Sequence, residues 1–251
     1  MMTRVKTAVE IEKMRISGRM LATVLEYLRG QVQPGQSTKA VADLAAAELK
    51  RLGGKPAFKG YEGFPDVICI SLNNEVVHGI PRANRIIEAG DIVSLDFGVN
   101  YQGMITDAAI SLLAGGVGKP SHKKLVERTE QSLYAGIAAV HDGVKTGDIG
   151  AAVQAVIDKF GYGNVRDLVG HGVGHELHED PNIPNYGKRG HGPRLSAGMT
   201  IAIEPMVTLG TDRVWVLDDG WTIITQDNSW SAHFEHTVLI TEDGAEILTT
   251  L

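Results

Sequence analysis

Four carboxylates and a histidine-rich segment are the part of this 251-residue chain whose types and spacing can do chemistry. Asp96 follows the apolar run Ile92-Val93-Ser94-Leu95, and Glu204 follows Ile201-Ala202-Ile203. Carboxylates in such strands are partly desolvated, which is costly unless they are paired or bind a metal. Asp107 lies beyond a turn at Asn100-Tyr101-Gln102-Gly103. If that turn is centred between Tyr101 and Gln102, Asp96 sits directly across from Asp107. Directly opposed Cβ atoms are about 4.5–5.5 Å apart, and like charges there repel. A divalent cation between them turns repulsion into chelation. Glu235, within Ser231-Ala232-His233-Phe234-Glu235-His236-Thr237-Val238, answers Asp107 as Glu204 answers Asp96. A strand glutamate alone is usually just exposed, so its weight comes from the pattern.

The segment Gly170-His171-Gly172-Val173-Gly174-His175-Glu176-Leu177-His178-Glu179 supplies imidazoles. Its three glycines, at roughly 1 kcal/mol each, argue against a helix through residue 174. The H-E-x-x-H zinc pattern is also absent. A Gly-rich strand or loop that brings backbone and imidazole close to an ion fits better. Two Asp, two Glu and one His make an oxygen-rich set whose four negative charges two divalent cations neutralise. Such donors suit Mn, Fe, Co or Zn. Two ions about 3.5–4 Å apart can activate a water and hold a substrate carbonyl.

These residues need strands to carry them and helices to back the strands. Apolar spacing from Ile11 to Leu28 predicts a helix over 8–30. Pro34-Gly35 is a turn, and Ser37 or Thr38 caps a second helix to about Leu52, closed by Gly53-Gly54. Strands are expected over 67–72, 76–80 and 92–112. Pro120-Ser121 opens a helix to about Val140, another spans about 147–160, and strand and loop follow. Asp243-Gly244 reads as a late hairpin turn. The order helix, helix, strands occurs twice, and the chain matches itself at a shift of 108 residues, the separation of Asp96 from Glu204. That shift lays Val32, Gly35, Thr38, Val41 and Gly53 on Val140, Gly143, Thr146, Ile149 and Gly161, and Ala89-Gly90 on Ala197-Gly198. The expectation is an α+β architecture of two pseudo-twofold-related halves, about 1–115 and 116–251, in one domain spanning 1–251.

Length permits a large core. Net charge is −6 and the pI about 5.8, without the basic patch of a nucleic-acid surface. A single cysteine, Cys69, excludes an intramolecular disulfide and fits a reducing compartment. No apolar run approaches a membrane span of about 18 residues, and residues 1–19 carry no apolar signal core. The expected location is the cytoplasm. Gly115-Gly116-Val117-Gly118-Lys119 lacks P-loop spacing.

Six motifs in order resemble the type I methionine aminopeptidases of the pita-bread fold, over essentially the whole chain. They are His78-Gly79-Ile80-Pro81, Leu95-Asp96-Phe97-Gly98, Thr106-Asp107, Gly170 to Gly174, Ile203-Glu204-Pro205-Met206 and Phe234-Glu235-His236-Thr237. The resemblance implies an antiparallel sheet covered by helices on one side. It implies Asp96, Asp107, His171, Glu204 and Glu235 as ligands of two divalent ions, with Asp107 and Glu235 bridging. It further implies His78 and His178 as non-ligand catalytic histidines and Glu204 as the group that moves the proton. The methionine pocket falls on Tyr61, Phe64, Cys69 and Trp221. Leu177 departs from the aromatic residue many relatives carry. His175, His191, His233 and His236 receive no role. The implied substrate is the N-terminus of a nascent polypeptide with a small second residue. The ribosome is a candidate contact, the chain a monomer, and no membrane or specific nucleic acid is involved. Proline-directed relatives resemble this chain around the ligands but carry a preceding domain. Non-enzymatic relatives lose ligands that are all present here.

Overall fold

The computed structural model describes residues 4–251. Thr7 and Glu10 start its first helix. The Thr7 side chain accepts from the Glu10 amide at 3.3 Å, and Glu10 Oε2 accepts from the Thr7 amide at 2.8 Å. This reciprocal cap satisfies two amides that have no helical partner. The helices are α1 Ala8–Gln31, α2 Thr38–Leu52, α3 Pro120–Ala138 and α4 Thr146–Asp158. Ser37 caps α2 as its sequence suggested, and Gly53 ends it at φ 82°. The strands of the first half are β1 Lys55–Pro56, β2 Cys69–Leu72, β3 Glu75–Val77, β4 Ile92–Tyr101 and β5 Met104–Leu113. Then come β6 Gly163–Asn164, β7 Gly170–Gly172, β8 Glu179–Ile183, β9 Thr200–Ile203 and β10 Met206–Thr208. The last five are β11 Val214–Val216, β12 Ile223–Thr225, β13 Ser231–His233, β14 Glu235–Ile240 and β15 Ala245–Ile247.

Among the described residues, nine strands form one sheet in the order β1-β4-β5-β14-β9-β7-β8, with β2 against β4 and β15 against β14. Successive side chains on a strand face opposite sides. Leu95, Phe97, Ala108, Ile110, Ile201, Ile203, Val238 and Ile240 pack with Leu21 and Leu25 of α1, Leu49 of α2, Leu133 of α3 and Val153 of α4. The helices therefore cover one face. Asp96, Asp107 and Glu235 alternate with these residues and occupy the other, in a pita-bread fold.

The β4–β5 hairpin corrects the expected register. Its two turn residues are Gln102 and Gly103, at φ 50° and 86°. Tyr101 pairs with Met104, Asp96 with Ala109 and Asp107 with Gly98. Asp96 and Asp107 are thus diagonal neighbours on one face, not directly opposed. A two-residue turn with both central φ positive matches the twist of the strands it joins. Asn100 Oδ1 accepts from the Gly103 amide at 3.0 Å and secures it. The strand expected over 76–80 stops at Val77, because His78 takes a left-handed φ of 60°.

The repeat is visible in the backbone. Ser37 bridges Ile86, and Lys145 bridges Arg194. Gly35 donates to the Ile87 carbonyl at 2.8 Å, and Gly143 to that of Leu195 at 2.9 Å. Each pair is related by the same residue shift. β5 and β14 adjoin at the middle of the sheet, with β4 and β9 outside them.

Candidate active site

One row of residues crosses the helix-free face. Cys69 pairs with Asp96, Asp96 with Ala109, and Ala109 with Glu235. His236 pairs with Ile203, so Glu204, just past the end of β9, comes next to Glu235. Asp107 sits two residues along β5 from Ala109. Its amide donates to Thr237 Oγ1, and that hydroxyl donates back to its carbonyl, both at 2.8 Å. Four carboxylates thereby converge around the small side chain of Ala109.

His171 reaches them from β7. Its Nδ1 lies 2.9 Å from the Gly172 carbonyl, which can only accept, so Nδ1 carries the hydrogen and Nε2 the lone pair. Nε2 faces Glu204 Oε1 at 3.4 Å. An ionised Glu204 would then present one acceptor to another, an arrangement that needs a shared proton or a cation. Backbone carbonyls hold metal-ligating histidines in this tautomer.

The donor set fits divalent ions. Ligand atoms of Asp107, His171 and Glu235 lie within 4.8 Å of one another, all three residues buried. Asp96 Oδ1, Asp107 Oδ1 and Glu235 Oε1 are buried without a hydrogen-bond partner. Buried polar atoms are rarely left so. Burial raises the carboxyl of Asp96. Burial, followed by the charges of neighbouring carboxylates, raises those of Asp107, Glu204 and Glu235. Burial also lowers His171 to about 3, with His178 adding to the fall. A neutral imidazole and carboxylates that resist ionisation without a positive partner are suited to a cation.

A cavity opens over this cluster. It is lined by Asp96, Asp107, His171, Glu204 and Glu235 together with Tyr61, Phe64, Cys69, His78, His178 and Trp221. Every site residue named from the sequence is therefore brought to one place. Phe64 meets Trp221 edge-on at 5.1 Å between ring centroids. Tyr61 Oη lies 2.9 Å from His178 Nδ1. Phe64 and Cys69 belong to an apolar cluster of their own, against which Tyr61 and Trp221 pack, rather than to the helix-backed core. His78 owes its place to backbone geometry. The following Gly79 lies so close to the Ile70 carbonyl that a Cβ would collide with it. The Gly79 amide takes Ser71 Oγ as its acceptor at 3.1 Å. Burial, with His178 next, holds His78 at about 4. A non-glycine residue at positive φ in a cavity wall is the kind of strain that accumulates at functional sites.

Sequence reasoning missed Phe58 and Glu62, which line the cavity, and left Leu177 doubtful although it lines it too. It also missed Ala109, where only the strand register carries the signal. His233 was grouped with residues of no role. It is buried, its Nε2 is 4.0 Å from Glu204 Oε2, and neither ring nitrogen has a hydrogen-bond partner among the described residues. His175 pairs with Glu10, and His236 with Thr249 and Tyr134, away from the cavity. His191 lies on the surface.

Residues 12–242 match the model of metallopeptidase family M24. The chain is 44% identical to the methionine aminopeptidase of Clostridium acetobutylicum over 98% of each. It is 47% identical to methionine aminopeptidase A of Synechocystis, over 96% of this chain and 94% of that one. The crystal structure of the methionine aminopeptidase from Thermotoga maritima superposes with a TM-score of 0.97 at 48% identity, covering all of both chains. The prolidase of Pyrococcus furiosus superposes at 0.79 with 25% identity, and the match covers 98% of this chain but 65% of that one. With a buried acidic and imidazole cluster under an aromatic-walled cavity, and relatives of this likeness along nearly its full length, the chain belongs to metallopeptidase family M24, among the methionine aminopeptidases.

Proposed function

We propose that this chain is an aminopeptidase that uses two divalent ions to remove the initiator methionine from nascent polypeptides with a small second residue. One observation carries the reading: a single cavity is lined by the five candidate ligands and by the aromatic and sulfur-bearing side chains of Tyr61, Phe64, Cys69 and Trp221. A flexible thioether suits such a wall. The similar proteins above bear the same activity in their names.

Asp96, Asp107, His171, Glu204 and Glu235 would hold the ions, Asp107 and Glu235 each serving both. Co, Mn, Fe or Zn would suit these donors. When bound, such ions lower the pKa of a water and polarise a carbonyl. Glu204 takes the proton from the attacking water at a carboxylate oxygen and passes it to the leaving amine. Burial keeps His178 neutral. Tyr61 donating to its Nδ1 leaves Nε2–H to bind the substrate carbonyl. His78, also neutral, faces the scissile amide nitrogen.

A second cavity shares His78, His171, His178 and Glu204 with the first and continues past Val77, Leu168, Val169, Asn182 and Met206. The scissile bond would lie at this shared wall, with methionine in the first cavity and the rest of the peptide in the second. Residues 1–251 would act as one catalytic unit, monomeric and cytoplasmic, on chains emerging from the ribosome. Among the described residues, no helix is long and apolar enough to cross a membrane.

The test is to incubate metal-reconstituted protein with Met-Ala-Ser, Met-Lys-Ser, Ala-Pro and Gly-Pro peptides. Free methionine from the first alone is the expected result. Preference for the proline substrates would assign the chain to proline-directed relatives.

A further inference from the structure

The loop between β7 and β8 carries His178 into the cavity, and Gly174 donates to the Glu176 carbonyl within it at 3.0 Å. Its one glycine, Gly174, takes a φ of 145°, and Gly172 pairs with Glu179 across a shifted register. Ile105 donates to the Gly174 carbonyl at 2.7 Å and Tyr61 Oη reaches His178 Nδ1 at 2.9 Å, and a further anchor comes from Lys6. Glu179, joined to His178 by one peptide bond, turns its carboxylate back under the loop. Its Oε1 accepts from the amides of His175 at 2.7 Å and Glu176 at 3.2 Å. Its Oε2 accepts from Lys6 Nζ at 2.9 Å, and both side chains are buried. Lys6 is itself held, its amide donating to the Gly198 carbonyl at 2.8 Å. Its stem crosses Gly174 so closely that a Cβ there would collide with Lys6 Cε. Beside it, His175 Nε2 meets Glu10 Oε1 at 2.8 Å, and Glu10 is the partner of Thr7 in the reciprocal cap of α1. Lys6 before α1 and Glu10 in its first turn thereby tie this part of the chain to the loop by two contacts that span most of the sequence.

We propose that Lys6 and Glu179 are positioning residues for His178: their buried ion pair clamps the β7–β8 loop so that the imidazole meets the substrate. The inference rests on the role assigned to His178 above. Two buried charges are a poor route to stability by themselves, since an apolar pair of the same size often does as well. They do impose a direction, because the carboxylate must face the ammonium and the two loop amides at once. A neighbouring side chain then has one placement. A misplacement of about 1 Å at a reacting group costs about a hundredfold in rate.

The test compares Lys6→Met, Lys6→Met/Glu179→Gln and His178→Ala, together with Lys6→Met in the His178→Ala background. All are assayed on Met-Ala-Ser well below their melting temperatures. Lys6→Met should lower kcat by about ten- to a hundredfold, with KM within about threefold and metal content unchanged. In the His178→Ala background the same change should do little more, because the group it positions is gone. The double variant removes both charges of the pair, so it should melt near the parent and still be slow. Full kcat in Lys6→Met, an equal further loss in both backgrounds, or a fast double variant would overturn the clamp while leaving His178 its role. A fully active His178→Ala would remove that role and the inference with it.

Discussion

Asp96 and Glu235 face each other across Ala109, whose methyl side chain leaves the space between the two carboxylates open. If that space holds ions, its size matters as much as the charges around it. Ala109→Leu should lose metal and activity, with a stability cost of about 1–3 kcal/mol from overpacking. Asp107→Ala or Glu235→Ala should lose both as well. A strong chelator should abolish turnover, and Co²⁺ or Mn²⁺ should restore it. Elemental analysis beside the activity assay checks this. An Ala109→Leu variant with full metal content, or turnover in metal-free protein, would refute it.

His78 and His178 lie in the cavity without belonging to the donor cluster. Changing either to Ala should slow turnover by roughly 10²–10⁴, the range of acid–base groups, while metal content stays at the parent level. Loss of metal in His178→Ala would instead make it a ligand.

Acid should act on stability through His78. Burial, with His178 next, depresses it from 6.5 to about 4. The folded state therefore favours the neutral ring. Its contribution is whole above pH 6.5 and is lost as pH falls through about 4. His171 and His233, each lowered to about 3, act in the same sense. His78→Gln cannot titrate, so its melting temperature should fall less than the parent's between these pH values. Calorimetry across the range decides it, and parallel curves would count against the assignment.

Methionine and leucine are both apolar and similar in size. Burial in the wall of Tyr61, Phe64, Cys69 and Trp221 should separate them by only about 1–3 kcal/mol. Leu-Ala-Ser should be cleaved slowly rather than not at all, and Trp221→Ala should weaken methionine selection. The measure is kcat/KM for both peptides. A Trp221→Ala enzyme with unchanged selectivity would move the pocket elsewhere.

Local chemistry and repetition were legible without the fold. Ser37 and Gly53 act within a few residues of themselves, so the ends of α2 needed no tertiary knowledge. Gly35 and Gly143, at φ 90° and 80°, and Gly90 and Gly198, at 90° and 84°, show the repeat because each copy must make the same turn. That equivalence put Asp96 and Glu204 at corresponding strand ends of the two halves. The family motifs pointed to the remaining candidate site residues by type and order. Other features depended on pairing between distant strands. Moving a hairpin turn by one residue shifts the pairing by two, so Asp96 and Asp107 became diagonal neighbours and Ala109 came between Asp96 and Glu235. Neither Ala109 nor Lys6 carries a chemical motif. Ala109 matters for the space it leaves, Lys6 for a carboxylate far along the chain, and both depend on which segments the sheet brings together.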